Sequence, residues 1–132
     1  MMGLDTNVLL RAMLKDDVRQ SPLAAGVLER LTPDDPGYIN VAVLLELMWT
    51  LGRRYKASRA ELMATLERLL ESPSYVLSDR DAVIDGLEIM QAENLDFADA
   101  LIGALNQRAG CAATWTFDAK ASERPLFQNV ES

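Results

Sequence analysis

Residues 38–54 read YINVAVLLELMWTLGRR. Tyr38-Ile39-Asn40 is a short, largely apolar segment, and Val41–Arg54 is a helix-length run whose only charge before Arg53 is Glu46. A brief buried strand passing directly into a helix is one step of a βα alternation, in which parallel strands lie under helices. Upstream, Thr32–Gly37 (TPDDPG) is a chain breaker. Before it, Asp17–Leu31 carries Leu23, Val27, Leu28 and Leu31 at helical spacing, opened by Ser21-Pro22. At the start, Met2–Leu4 reads as a strand ending at Asp5, with Thr6 or Asn7 as the cap of a following helix. Downstream, the pattern predicts a helix over Ala57–Ser72, a strand over Tyr75–Leu77, and helices over Asp79–Glu93 and Asp96–Gln107. Strands over Ala112–Phe117 and Phe127–Val130 complete it. The expected fold class is therefore α/β with a parallel sheet, in one domain spanning residues 1–132.

The chain has 132 residues, of which 49% are hydrophobic and 25% charged. That is the balance of a folded globular domain rather than a disordered segment. No charge-free apolar run approaches the ~18 residues that span a bilayer, and no secretory signal peptide is expected at the start. The single Cys111 excludes an intramolecular disulfide and a cysteine-based zinc site. The chain has no histidine, which excludes Ser-His-Asp and Cys-His catalysis as well as imidazole metal ligands. A cytoplasmic location is expected. Thirteen basic against 20 acidic residues give a net charge of −7, which points to a bound cation or a basic partner.

Four acids stand apart from other charges. Asp5 is the only charge in residues 1–10, Glu46 in Val41–Gly52 and Asp99 in Phe97–Gln107, while Asp118 ends the uncharged run AGCAATWTF. In open α/β sheets, ligands bind beyond the carboxyl ends of the strands, where Asp5 and Asp118 fall. Each acid has a plain structural reading by itself: strand-end cap, first-turn helix acid, or a carboxylate in a narrow polar gap. Converging carboxylates would repel one another, and a hard divalent cation, Mg²⁺ or Mn²⁺, relieves that repulsion with oxygen ligands alone. Metal-assisted phosphodiester hydrolysis uses such a donor set.

The segments GLDTNVLL, VAVLLELMWTL, LDFADALIGAL and TWTFDAKA, in this order and spacing, resemble PIN-domain ribonucleases, most nearly the VapC-type toxins of bacterial type II toxin–antitoxin modules. The resemblance covers essentially the whole chain. It implies a three-layer α/β/α sandwich with a central parallel sheet of four or five strands. It implies a Mg²⁺- or Mn²⁺-dependent endoribonuclease in which Asp5, Glu46, Asp99 and Asp118 hold metal, with Asp99 preferred over Asp96. Thr6, Asn7 and Thr116 correspond to polar residues that orient ligands or water. Cleavage by an activated water would leave a 5′-phosphate and a 3′-hydroxyl. The implied partners are RNA, a cognate antitoxin with a basic tail, and a second copy in a homodimer.

The rivals fail at named residues. A haloacid-dehalogenase-type phosphatase wants a second Asp two positions after Asp5, where Asn7 stands. A response-regulator receiver wants an acid pair ending the first strand, and no glycine-rich phosphate cradle is present. The alternative of a different class is a catalytically silent PIN-like module that binds protein. Arg53, Arg54, Lys56 and Arg59 read as a basic helix end facing solvent, with phosphate contact as the second reading. Val18 and Leu23 suit either an interface or the core, and Trp49 reads as core.

Overall fold

A computed structural model describes residues 1–131. The chain divides into two compact units, Met1–Ser78 and a second from Asp79 onward. Each holds its own parallel ladder.

The first unit runs β1 (Met2–Gly3), α1 (Thr6–Leu14), α2 (Gln20–Glu29), β2 (Gly37–Ile39), α3 (Val41–Arg53), α4 (Arg59–Glu71) and β3 (Tyr75–Leu77). Its strands pair in the order β1-β2-β3, all parallel, with Gly3 opposite Tyr38 and Tyr38 opposite Val76. The pairing continues past β1, where Leu4 N–H donates to the Tyr38 carbonyl at 2.9 Å. Gly37 is required by close packing: a Cβ there would lie 2.6 Å from Leu4 Cδ1 and 2.8 Å from Leu31 Cδ1. The buried face of α3 is Leu44, Leu47, Met48 and Leu51, a stripe at i, i+3, i+4 and i+7. Leu9, Ile39, Leu66 and Leu77 are buried in the same unit.

Side chains and backbone groups settle the helix starts. The cap of α1 is Asp5 itself rather than Thr6 or Asn7, because its carboxylate accepts from Thr6 N–H at 2.8 Å. The strand expected to include Asn40 stops at Ile39, since the Asn40 carboxamide accepts from Val43 N–H at 2.9 Å and caps α3. Ser58 caps α4 in a reciprocal box with Glu61, so that helix starts at Arg59, after the expected Ala57. Ser21 and Pro22 sit inside the first turn of α2, while the Asp17 carboxylate receives the Arg19 and Gln20 N–H groups.

The second unit runs α5 (Arg80–Ala92), α6 (Phe97–Arg108), β4 (Thr114–Thr116), a 3-10 turn (Ala121–Glu123) and β5 (Phe127–Asn129). The two helices pack together through small residues: a Cβ on Gly86 would lie 3.5 Å from the Leu101 backbone. β4 and β5 pair in parallel, with Trp115 opposite Gln128. Leu95, Ala121 and Phe127 form a small buried cluster, with Ile89 and Leu126 packed on it. Gly103 lets the ring of Phe127 approach α6; a Cβ there would meet it at 2.9 Å.

Among the described residues, the strands number five and pair in parallel within each ladder, but they form ladders of three and two rather than the one central sheet of four or five strands that was expected. Among the described residues, no helix is long and apolar enough to cross a membrane.

Candidate functional site

In the first unit, Asp5 follows β1 and Asn40 follows β2, and the pairing of Gly3 with Tyr38 places the two at equivalent positions beyond adjacent parallel strands. Asp5 has extended backbone angles, φ −84° and ψ 158°, and its carbonyl accepts from Val8 N–H at 3.1 Å. The chain therefore leaves the sheet and enters α1 at this residue, with the Asp5 carboxylate oriented by Thr6 N–H. Thr6 is only 4% exposed, and its Oγ1 is buried with no hydrogen-bond partner among the described residues. Buried hydroxyls are rarely left so. Asn7 is exposed on the first turn of α1.

Glu46 lies on α3, the helix that Asn40 caps. The Val41 N–H is taken by Ser78 Oγ at 2.9 Å, a contact from the residue just after β3 that ties α3 to the sheet. The isolation of Glu46 in sequence does not arise from burial. The helical turn carries it off the Leu44/Leu47/Met48/Leu51 face, and it is exposed together with Ala42, Trp49 and Arg53. Trp49 is 63% exposed, so it is not a core residue; Val18 and Leu23 are exposed as well.

In the second unit, Asp99 occupies the first turn of α6, whose N-cap is Asp96. Asp118 follows β4 and is held from two sides. Its Oδ1 accepts from Lys120 N–H at 2.9 Å and Ala121 N–H at 3.1 Å, and its own N–H donates to Thr116 Oγ1 at 3.0 Å. Thr116 thus orients the residue that carries the carboxylate. The structure brings Asp99 and Asp118 together: partial burial raises the Asp99 pKa above the usual Asp range, and the charges of Asp118 and then Asp96 raise it further.

Sequence reasoning missed Asn106. Two turns after Asp99 on α6, its Nδ2 donates to Thr114 Oγ1 at 2.9 Å, which ties the helix of Asp99 to the strand that precedes Asp118. The available signal was a carboxamide following the apolar run Ala100–Leu105. Ser78 was missed too, because a cap supplied from 37 residues away leaves no local pattern.

None of Asp5, Glu46, Asp99 and Asp118 forms an ion pair with a basic residue of its own unit, among the described residues. Other acids do: Asp16 with Arg11, and Asp85 with Arg108 at 2.6 Å. Carboxylate oxygens are the donors that hard divalent cations accept. Among the described residues, neither unit by itself holds three or more Asp, Glu, Cys or His side chains grouped to bind a metal ion.

A similar solved structure is that of Mycobacterium tuberculosis VapC20, described as a Sarcin-Ricin loop cleaving toxin. It shares 21% identity over 97% of this chain and 98% of that one, with a TM-score of 0.45. No curated protein matches the chain. The PIN domain model matches residues 2–125, a span that contains all four carboxylates, and the chain belongs to the PIN-domain family.

Proposed function

We propose that this chain is a divalent-metal-dependent endoribonuclease, that residues 1–132 work as a single PIN nuclease domain, and that it serves as the toxin of a toxin–antitoxin module. The observation that carries the chemistry is Asp99: a partly buried carboxylate beside the charges of Asp118 and Asp96, with no basic partner in its own unit among the described residues. Such a group is destabilised when ionised unless a cation neutralises it. Asp5, Glu46, Asp99 and Asp118 would hold Mg²⁺ or Mn²⁺, which when bound activates water and shields the phosphate charge.

The remaining contributions come from the chain itself. The Thr6 N–H keeps the Asp5 carboxylate in one orientation, and the buried Thr6 hydroxyl has no hydrogen-bond partner among the described residues. The turn at Lys120 and Ala121 does the same for Asp118. Glu46 stands on an exposed helix face, where an extended polymer can reach it without opening the core. Without histidine, the chain has no imidazole pair to activate the RNA 2′-hydroxyl, so hydrolysis by water with a 3′-hydroxyl leaving group is the reading that suits its residues.

The toxin role rests on the resemblance of the four quoted motifs. It brings with it an antitoxin whose basic tail would set Arg or Lys against the carboxylates, and a homodimeric state. The test is incubation of the purified, partner-free chain with structured RNA in Mn²⁺ and in EDTA, followed by end mapping. Metal-dependent fragments with 5′-phosphates and 3′-hydroxyls are expected. Intact RNA under all conditions overturns the nuclease reading in favour of a silent binding module, and cleavage that EDTA leaves untouched overturns the role of metal.

A further inference from the structure

We propose that the exposed stripe of α3 and the basic turn after it form a track for single-stranded RNA, on which Trp49 stacks a base and Arg53, Arg54 and Lys56 hold phosphates. The proposal rests on the ribonuclease reading and names how its substrate is gripped. Glu46, Trp49 and Arg53 are spaced at i, i+3 and i+7, so they share one helix face, and all three are exposed. Glu46 and Arg53 lie roughly 10 Å apart along the axis at the α-helical rise, a distance that a few nucleotides span.

The order along the stripe suits a nucleic acid. It runs from a carboxylate assigned to the reaction centre, through an aromatic plane, to cations. Bases unstacked from a duplex gain by stacking on an aromatic side chain, and phosphates pair with Arg and Lys. Trp49 is 63% exposed, although a tryptophan normally removes a large apolar area from water. Arg54 lies over the Tyr55 ring, 5.7 Å from its centroid. This cation–π pair holds the Arg54 guanidinium close to the end of α3.

The cations are available and locally concentrated. Residues 53–59 (RRYKASR) carry four basic residues and no acid, in a chain whose net charge is −7. Arg53, Arg54 and Lys56 are exposed, and none is ion-paired within its unit among the described residues. Lys56 has φ 58°, a left-handed turn beyond the helix end, and Ala57 N–H returns to the Leu51 carbonyl at 2.9 Å. The turn therefore folds back and keeps its cations gathered at the end of the stripe. A positive patch adjoining an exposed aromatic favours a polyanion with stackable bases over a purely apolar protein surface.

The test is binding of a short fluorescent single-stranded RNA to the full chain in EDTA, by anisotropy over a series of salt concentrations. Trp49→Ala should weaken binding on the order of tenfold, and Trp49→Phe should restore most of it. Changing Arg53, Arg54 and Lys56 together to Gln should lower affinity and reduce the log–log salt slope by about 2, at about 0.7 per phosphate contact. In a Trp115→Phe background, which leaves Trp49 as the sole tryptophan, RNA should quench the tryptophan emission. Unchanged affinity, slope and emission overturn the track, as does a parent chain that binds no RNA at low salt. A Trp49→Ala chain that alters its self-association while binding RNA normally assigns the face to a protein contact and also overturns it. A chain that grips RNA through Trp49 yet never cleaves it with Mn²⁺ supports the track and sinks the nuclease reading instead.

Discussion

Asp99 and Asp118, brought together from the start of α6 and the end of β4, repel one another. After partial burial, the Asp118 charge is the largest influence raising the Asp99 pKa, and Asp96 adds to it. An acid more easily protonated in the native state than in the unfolded chain works against folding once it ionises, and that sign sets the first prediction.

A raised native pKa means that the folded protein holds a proton which the unfolded chain has released. The stabilisation is fully present below the ordinary Asp value of 3.8 and is lost as pH rises through the higher native value. Without metal, the parent should therefore lose this contribution between acid and neutral pH, and Asp99→Asn should melt higher than the parent at pH 7. Mn²⁺ should reverse the order by binding the native parent, by about 2.7 kcal/mol at a hundredfold excess over the dissociation constant. Melting curves of both proteins in EDTA and in Mn²⁺ check this; equal metal-induced shifts would remove Asp99 from the metal site.

Asp5→Asn and Asp99→Asn each should lower the RNA cleavage rate on the order of 10³-fold while keeping the fold, since volume is nearly conserved and a charged ligand is lost. Asp96→Asn should keep most activity, because its contribution is a charge near Asp99 rather than a ligand. Initial rates with Mn²⁺, alongside far-UV circular dichroism, separate the three. A folded Asp5→Asn protein that cuts at the parent rate would end the assignment.

The helix that carries Glu46 is capped twice, by Asn40 on Val43 N–H and by Ser78 on Val41 N–H, both at 2.9 Å. Asn40→Ala should destabilise the protein by about 1 kcal/mol, and Ser78→Ala by a similar amount. Because both caps anchor the same first turn of α3, the double variant should depart from additivity. Urea denaturation of the four proteins measures the coupling, and strictly additive losses would show that the caps act separately.

Leu101 is fully buried and Ile102 is 43% exposed, one residue apart on the helix of Asp99. Leu101→Ala should cost about 2–5 kcal/mol through lost burial and the cavity left behind. Ile102→Ala should cost a small fraction of that. Comparable losses would place Ile102 against a surface that the isolated chain conceals.

Ser21-Pro22 reads as a cap followed by the first helical residue, but the helix begins two residues earlier, at Gln20, because the Asp17 carboxylate takes the first free N–H groups. Asn40 reads as the end of a strand and is a cap, because its side chain finds Val43 N–H. These errors are confined to element ends, where one side-chain hydrogen bond outweighs a propensity.

Order along the chain was enough to determine the alternation of strands and helices and the positions of Asp5 and Asp118 beyond strands. Both follow from periodicity and breakers, which act over a few residues. It also showed that Glu46 stands alone among apolar residues, but not that Glu46 and Trp49 face outward. That depended on which apolar side of α3 the unit covers, a matter of packing rather than of composition. Three further relationships came from folding in three dimensions: Asp118 acts on Asp99, Asn106 binds Thr114, and Thr6 Oγ1 is buried without a partner among the described residues. Each depends on atoms distant in sequence or on enclosure by the packed chain, and charge and hydrogen-bond energies fall too steeply with distance to be read from a linear string of residues.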